Sequence, residues 1–129
     1  MFTYSLPVRY ADTDAQGHVF FANYLTYFDE ALTYFLVDRG CPYSELESLG
    51  LEFVFADAHC QYRGSARFAD RVRIEVRVLK LGRTSLTTAY RALRGDDVLA
   101  EGELVQVCVD RDNHRPQPLP DRLRDALEA

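Results

Sequence analysis

The sequence predicts an α+β domain in which a mainly antiparallel sheet packs against one long apolar helix. Three patterns carry that expectation. Phe2, Tyr4, Leu6, Val8 and Tyr10 alternate at period two, as a half-buried strand requires. Apolar residues then recur at three and four through Phe21, Tyr24, Leu25, Phe28, Leu32, Phe35 and Leu36, the spacing of a helix face. Four strand-like runs follow that helix, so one face of the sheet can wrap it and the other can face solvent or a partner.

The elements follow in order. Pro7 cannot donate to a strand ladder, which puts the first strand, residues 2–10, at an edge or a strand start. Asp12 to His18 is rich in turn formers and reads as a loop. The helix runs from about Phe21 to Arg39, with Thr26, Glu30 and Thr33 in a narrow polar stripe, so it is packed on most sides. Gly40 and Pro42 stop it. A short turn or helix occupies Pro42–Leu49. Strands are expected at Val54–Tyr62, Val72–Leu79, Thr84–Leu93 and Val98–Val109. The last two are joined by the turn Arg94-Gly-Asp-Asp97. His114–Pro120 is an extended connector, and Asp121–Glu128 a short closing helix.

Composition narrows the function. A chain of 129 residues, 47% hydrophobic and 27% charged, is expected to form one globular domain over residues 1–129. No apolar run reaches the roughly 18–20 residues of a membrane span. Residues 1–9 lack the pattern of a secretory signal, so a cytoplasmic location is expected. Cys41, Cys60 and Cys108 are widely spaced and suggest neither a disulfide framework nor a zinc site; Cys60 and Cys108 read as core fillers. Fifteen Lys+Arg against twenty Asp+Glu give a net charge of −5, which argues against nucleic acid as a partner. Lys80 is the sole lysine. The basic side is therefore arginine, suited to bidentate phosphate contacts.

The chemistry concentrates in Tyr10-Ala-Asp-Thr-Asp-Ala-Gln-Gly-His-Val-Phe-Phe-Ala-Asn-Tyr24. Two carboxylates, a glycine and a histidine stand directly before an apolar helix. A helix start offers unpaired N–H groups and a positive dipole end, where negative charge is stabilised. A carboxylate beside it suits attack on a carbonyl that becomes an oxyanion. Either aspartate can instead cap the loop. Asp12 fits a loop brace better, and two carboxylates this close can raise one pKa by repulsion.

This segment resembles the signature of hotdog-fold acyl-CoA thioesterases, nearest to the 4-hydroxybenzoyl-CoA and Tol-Pal-associated group. Tyr27-Phe-Asp-Glu-Ala31, Tyr62-Arg-Gly-Ser-Ala-Arg-Phe-Ala-Asp70 and Leu81-Gly-Arg-Thr-Ser85 extend the likeness, in order, over nearly the whole chain. The resemblance implies a five-stranded antiparallel sheet wrapped around the helix. It also implies a homodimer or homotetramer with the site at the dimer interface. No metal or cofactor is implied, coenzyme A being part of the substrate. Asp14 corresponds to the family's catalytic acid, as general base or nucleophile, and Phe21 supplies the backbone N–H that polarises the carbonyl.

Other positions are expected around the substrate. Gly17 allows a positive-φ turn or close approach of the thioester. His18 can bond substrate or water, or support the loop; many relatives carry an apolar residue there. Asn23 and Tyr24 cap or pack the helix start and can reach substrate. Asp29 matches an acidic position that meets the acyl end in relatives acting on hydroxylated aromatic groups. Arg83, in the Leu81–Ser85 segment, is the phosphate candidate, ahead of Arg63, Arg67 and Arg111. Phe20, Phe21 and Phe55 are pocket-lining candidates. Two other readings use the same fold: hydrolysis of acyl groups on an acyl carrier protein, and a non-catalytic acyl-CoA-binding module.

Overall fold

In the computed structural model, residues 1–128 are described. Five strands form one antiparallel sheet: β1 (Phe2–Pro7), β2 (Leu51–Tyr62), β3 (Arg71–Leu81), β4 (Ser85–Arg94) and β5 (Asp97–Asp110). Their spatial order is β1-β3-β4-β5-β2, which places β1 and β2 at the two edges. The helices are α1 (Asn23–Asp38), α2 (Tyr43–Ser48) and α3 (Asp121–Glu128). The first strand stops at Pro7, and a single 3-10 turn over Tyr10–Asp12 replaces its expected continuation. β2 begins at Leu51, three residues before the apolar run that marked it.

Period-two alternation decides which face of the sheet is covered. Val72, Ile74 and Val76 of β3, Leu86, Thr88, Tyr90 and Ala92 of β4, and Ala100, Leu104, Gln106 and Cys108 of β5 all point inward and are buried. α1 lies across them with Tyr24, Tyr27, Phe28, Ala31, Leu32, Phe35 and Leu36 buried. The Phe28 ring stacks on Tyr90 at 4.8 Å. Removing an aromatic ring from such a packed position costs about 3–5 kcal/mol. Gly102 lets the helix come this close: a Cβ there would stand 2.8 Å from the Phe28 ring and 2.5 Å from the His59 carbonyl.

Two expectations about burial need correction. The outer face of α1 is wider than a narrow polar stripe, because Asp29, Tyr34 and Val37 are exposed beside Thr26 and Glu30. Cys60 is only half buried, whereas Cys108 belongs to the core. β2 is bonded to β5 alone, so one of its edges has no strand beside it, whereas Tyr34 lies at the other side of α1, stacked on Tyr4 of β1 at 4.7 Å.

Candidate active site

Asp12 and Asp14 lie two residues apart but in different environments. Asp12 is buried, at 4% exposure, and its carboxylate accepts from the Arg9 backbone N–H (3.0 Å), the Arg9 guanidinium (2.9 Å) and the Tyr27 hydroxyl (2.9 Å). Burial alone would push that carboxyl up. The donors outweigh it and hold Asp12 below the usual carboxylate range, while burial pushes the Tyr27 phenol up. The Asp12 backbone carbonyl is also used, accepting from Phe20 N–H (2.8 Å) and the Asn23 side-chain amide (2.9 Å). Every one of these bonds is structural.

Asp14 is half exposed. Its Oδ1 accepts from the backbone N–H groups of Gln16 (2.9 Å) and His18 (3.2 Å), and no protein donor meets Oδ2 among the described residues. The Asp14 N–H bonds the His18 carbonyl at 2.7 Å, folding the chain back on itself. Gly17 makes that fold possible at φ 83°, left-handed backbone that side chains disfavour. The result is a carboxylate with one oxygen anchored and the other available.

The helix start stands at the end of this loop. α1 begins at Asn23, so Phe21 occupies the turn just before it rather than the first helical turn. Asn23 N–H holds the Phe20 carbonyl at 2.8 Å. Because the peptide unit is planar, the Phe21 N–H points the opposite way. Among the described residues no acceptor meets that N–H, which leaves it free for a developing oxyanion. The Phe21 and Phe20 side chains are exposed, with ring centroids 4.8 Å apart.

The segment joining β2 to β3 backs the whole arrangement. Val19 N–H bonds the Ala66 carbonyl (2.9 Å), and Ala66 N–H bonds the Tyr24 hydroxyl (3.0 Å). Arg67 reaches His18, with Nη2 3.0 Å from Nε2. The Tyr62 hydroxyl donates to the Phe21 carbonyl at 2.9 Å. In the sequence alone Arg67 stands behind Arg83 as a phosphate candidate, and nothing local gives Tyr62 a role. The signal was there in Tyr62–Asp70, but its pairing with residues 18–24 depends on the fold.

Asn23 and Tyr24 are used inside the protein. Tyr24 is 2% exposed with its hydroxyl accepting from the Ala66 N–H, and the Asn23 side-chain N–H donates to the Asp12 carbonyl. Asp29 lies on the outer flank of α1; partial withdrawal from water pushes its carboxyl up. Arg83 is exposed in the β3–β4 turn, away from Asp14. Tyr62 pairs with Ala100, and Ala100 with Ala92, whereas Arg83 precedes Ser85 at the other end of β4. At about 3.3 Å per residue those ends are roughly 23 Å apart.

Comparison with known proteins gives this geometry a family. Residues 8–127 match the thioesterase-like superfamily. The chain is 30% identical to the acyl-CoA thioester hydrolase YbgC of Escherichia coli, over 93% of this chain and 90% of that one. It is also 30% identical to a 1,4-dihydroxy-2-naphthoyl-CoA hydrolase of Synechococcus elongatus, over 94% and 90%. The solved structure of a gentisyl-coenzyme A thioesterase superposes with a TM-score of 0.89 at 32% identity, covering 98% of this chain and 99% of that one. The chain therefore belongs to the thioesterase-like superfamily, as a thioester hydrolase with the hotdog fold.

Proposed function

We propose that this protein hydrolyses acyl-CoA thioesters to a carboxylic acid and free coenzyme A at Asp14. The observation that carries the reading is the pairing, on one loop, of a carboxylate Oδ2 and a Phe21 N–H that have no protein partner among the described residues. As a general base, Asp14 takes a proton from water, and the water oxygen bonds to the thioester carbon. The carbonyl electrons move to oxygen, where the Phe21 N–H stabilises them. Collapse breaks the C–S bond, and the thiolate of coenzyme A leaves and is protonated. As a nucleophile, Asp14 instead forms an anhydride that water then cleaves.

Several features support the finer parts of this reading. β2 is a long edge strand with Phe55 exposed, a surface that a second copy can cover by strand pairing. We read the working unit as at least a homodimer through β2; a monomeric mass by light scattering would contradict this. Arg83 keeps its place as phosphate partner because the nucleotide of coenzyme A lies a full pantetheine arm from the thioester. Asp29, partly desolvated on the helix flank, suits a polar acyl end. The free cysteines suit a reducing compartment such as the cytoplasm.

The test measures free thiol released from acetyl-, hexanoyl-, palmitoyl-, benzoyl- and 4-hydroxybenzoyl-CoA. Asp14→Asn keeps an Oδ1 acceptor for Gln16 and His18 and should fold normally. Turnover should nevertheless fall by about a hundredfold or more, the scale of a lost acid–base group. Near-native turnover in that variant would sink the assignment. Burst formation of an acyl-aspartyl anhydride, trapped with hydroxylamine, selects the nucleophilic route.

A further inference from the structure

We infer that Tyr62 is a positioning residue for the reaction: its hydroxyl, bonded to the Phe21 carbonyl, fixes the direction of the amide that receives the oxyanion. The inference rests on the proposed role of the Phe21 N–H. Phe21 sits between two peptide planes. The plane before it contains the reacting N–H and is held through the Phe20 carbonyl by Asn23 N–H at 2.8 Å. The plane after it contains the Phe21 carbonyl, which the Tyr62 hydroxyl holds at 2.9 Å. Within the first turn of α1 that carbonyl has only a long bond, from Tyr24 N–H at 3.4 Å. Without Tyr62, one side of Phe21 is therefore weakly tethered.

The geometry suits a rigid tether. Tyr62 closes β2 in register with Ala100, so its backbone is fixed by the sheet. Its ring sits edge-on to Tyr24 at 5.6 Å and to Phe21 at 6.3 Å, which sets its direction. Burial, then the neighbouring Cys60, pushes the phenol up to about 12, so the hydroxyl remains a donor throughout the neutral range. An oxyanion donor must already be aimed where charge develops, because reorienting it during the reaction forfeits its benefit. Tyr62 can act on the rate this way without touching the substrate.

Tyr62→Phe removes the hydroxyl and keeps the ring. Assayed on whichever of the five thioesters the unaltered protein turns over fastest, it should lower kcat about five- to tenfold, the size of one net hydrogen bond. KM should stay within twofold, since a bond realised only in the transition state leaves ground-state binding alone. The second readout is the NMR order parameter of the Phe21 N–H, which should drop from about 0.85, typical of rigid backbone, toward 0.6. Unchanged kcat with an unchanged order parameter would overturn the inference, as would a loss carried by KM alone. Asp14→Asn in the same assay separates the two claims: if it is inactive while Tyr62→Phe is fully active, only the role of Tyr62 fails.

Discussion

Arg67 Nη2 lies 3.0 Å from His18 Nε2, a geometry that orients the imidazole with Nε2 as the acceptor and Nδ1 carrying the N–H. A guanidinium can only donate, so Nε2 must accept. The contact ties Arg67 to the Asp14 loop, to which the His18 backbone N–H and carbonyl are already bonded. Arg67→Met should release the tautomer and loosen the loop. The expected results are a shift of the His18 15N resonances toward the Nε2–H form and a loss in kcat/KM of about tenfold, the scale of one charge-assisted bond. An Nε2–H imidazole in the unaltered protein would contradict the assignment.

Asp12 should make stability fall in acid. Its folded pKa lies below the unfolded value, so the unfolded chain binds more protons between the two. The contribution is fully present above the ordinary carboxylate range, near pH 4, and is lost as pH falls through the folded value. Tyr27→Phe removes one donor while keeping the ring. It should cost about 1–2 kcal/mol near neutrality and move the acid-unfolding midpoint upward, because the folded pKa of Asp12 rises. Urea denaturation across pH 3–7 measures both effects.

Gly102→Ala tests the approach of α1 to β5. The added Cβ meets the His59 carbonyl at 2.5 Å as well as the Phe28 ring at 2.8 Å, and the backbone contact cannot be relieved by a rotamer change. Overpacking of this kind costs about 1–3 kcal/mol. A midpoint within 2 °C of the unaltered protein on thermal melting would show that the helix has room to retreat.

The fold was largely legible because its two periodicities are clean. Alternation of Val72, Ile74 and Val76 with Arg73, Glu75 and Arg77 can only be a half-covered strand, and the sheet uses it so. The start of α1 was less legible. Phe21 continues the helical spacing of apolar residues, yet the chain there is still bound to Asp12 and Ala66 by neighbouring residues, and the helix waits until Asn23. Asp14 and Phe21 could be suspected from one contiguous motif. Tyr62 and Arg67 could not be placed, because nothing local says that an aromatic ending one strand will reach a carbonyl before a helix. Cys60 packs against the core yet stays half buried; an apolar run does not reveal that its strand is an edge.

The bonds from Tyr62 to Phe21, Ala66 to Tyr24 and Arg67 to His18 join residues 41, 42 and 49 positions apart. Loops of that length close late, since their entropy must be met before any contact is gained. Helix α1 can form locally while Asp14 and Phe21 are still unaligned. In a refolding experiment, helical signal should therefore return before the first released thiol. The enzyme's own turnover is a clock for a stage of folding later than the helix, struck only when the second strand has found the helix that precedes it.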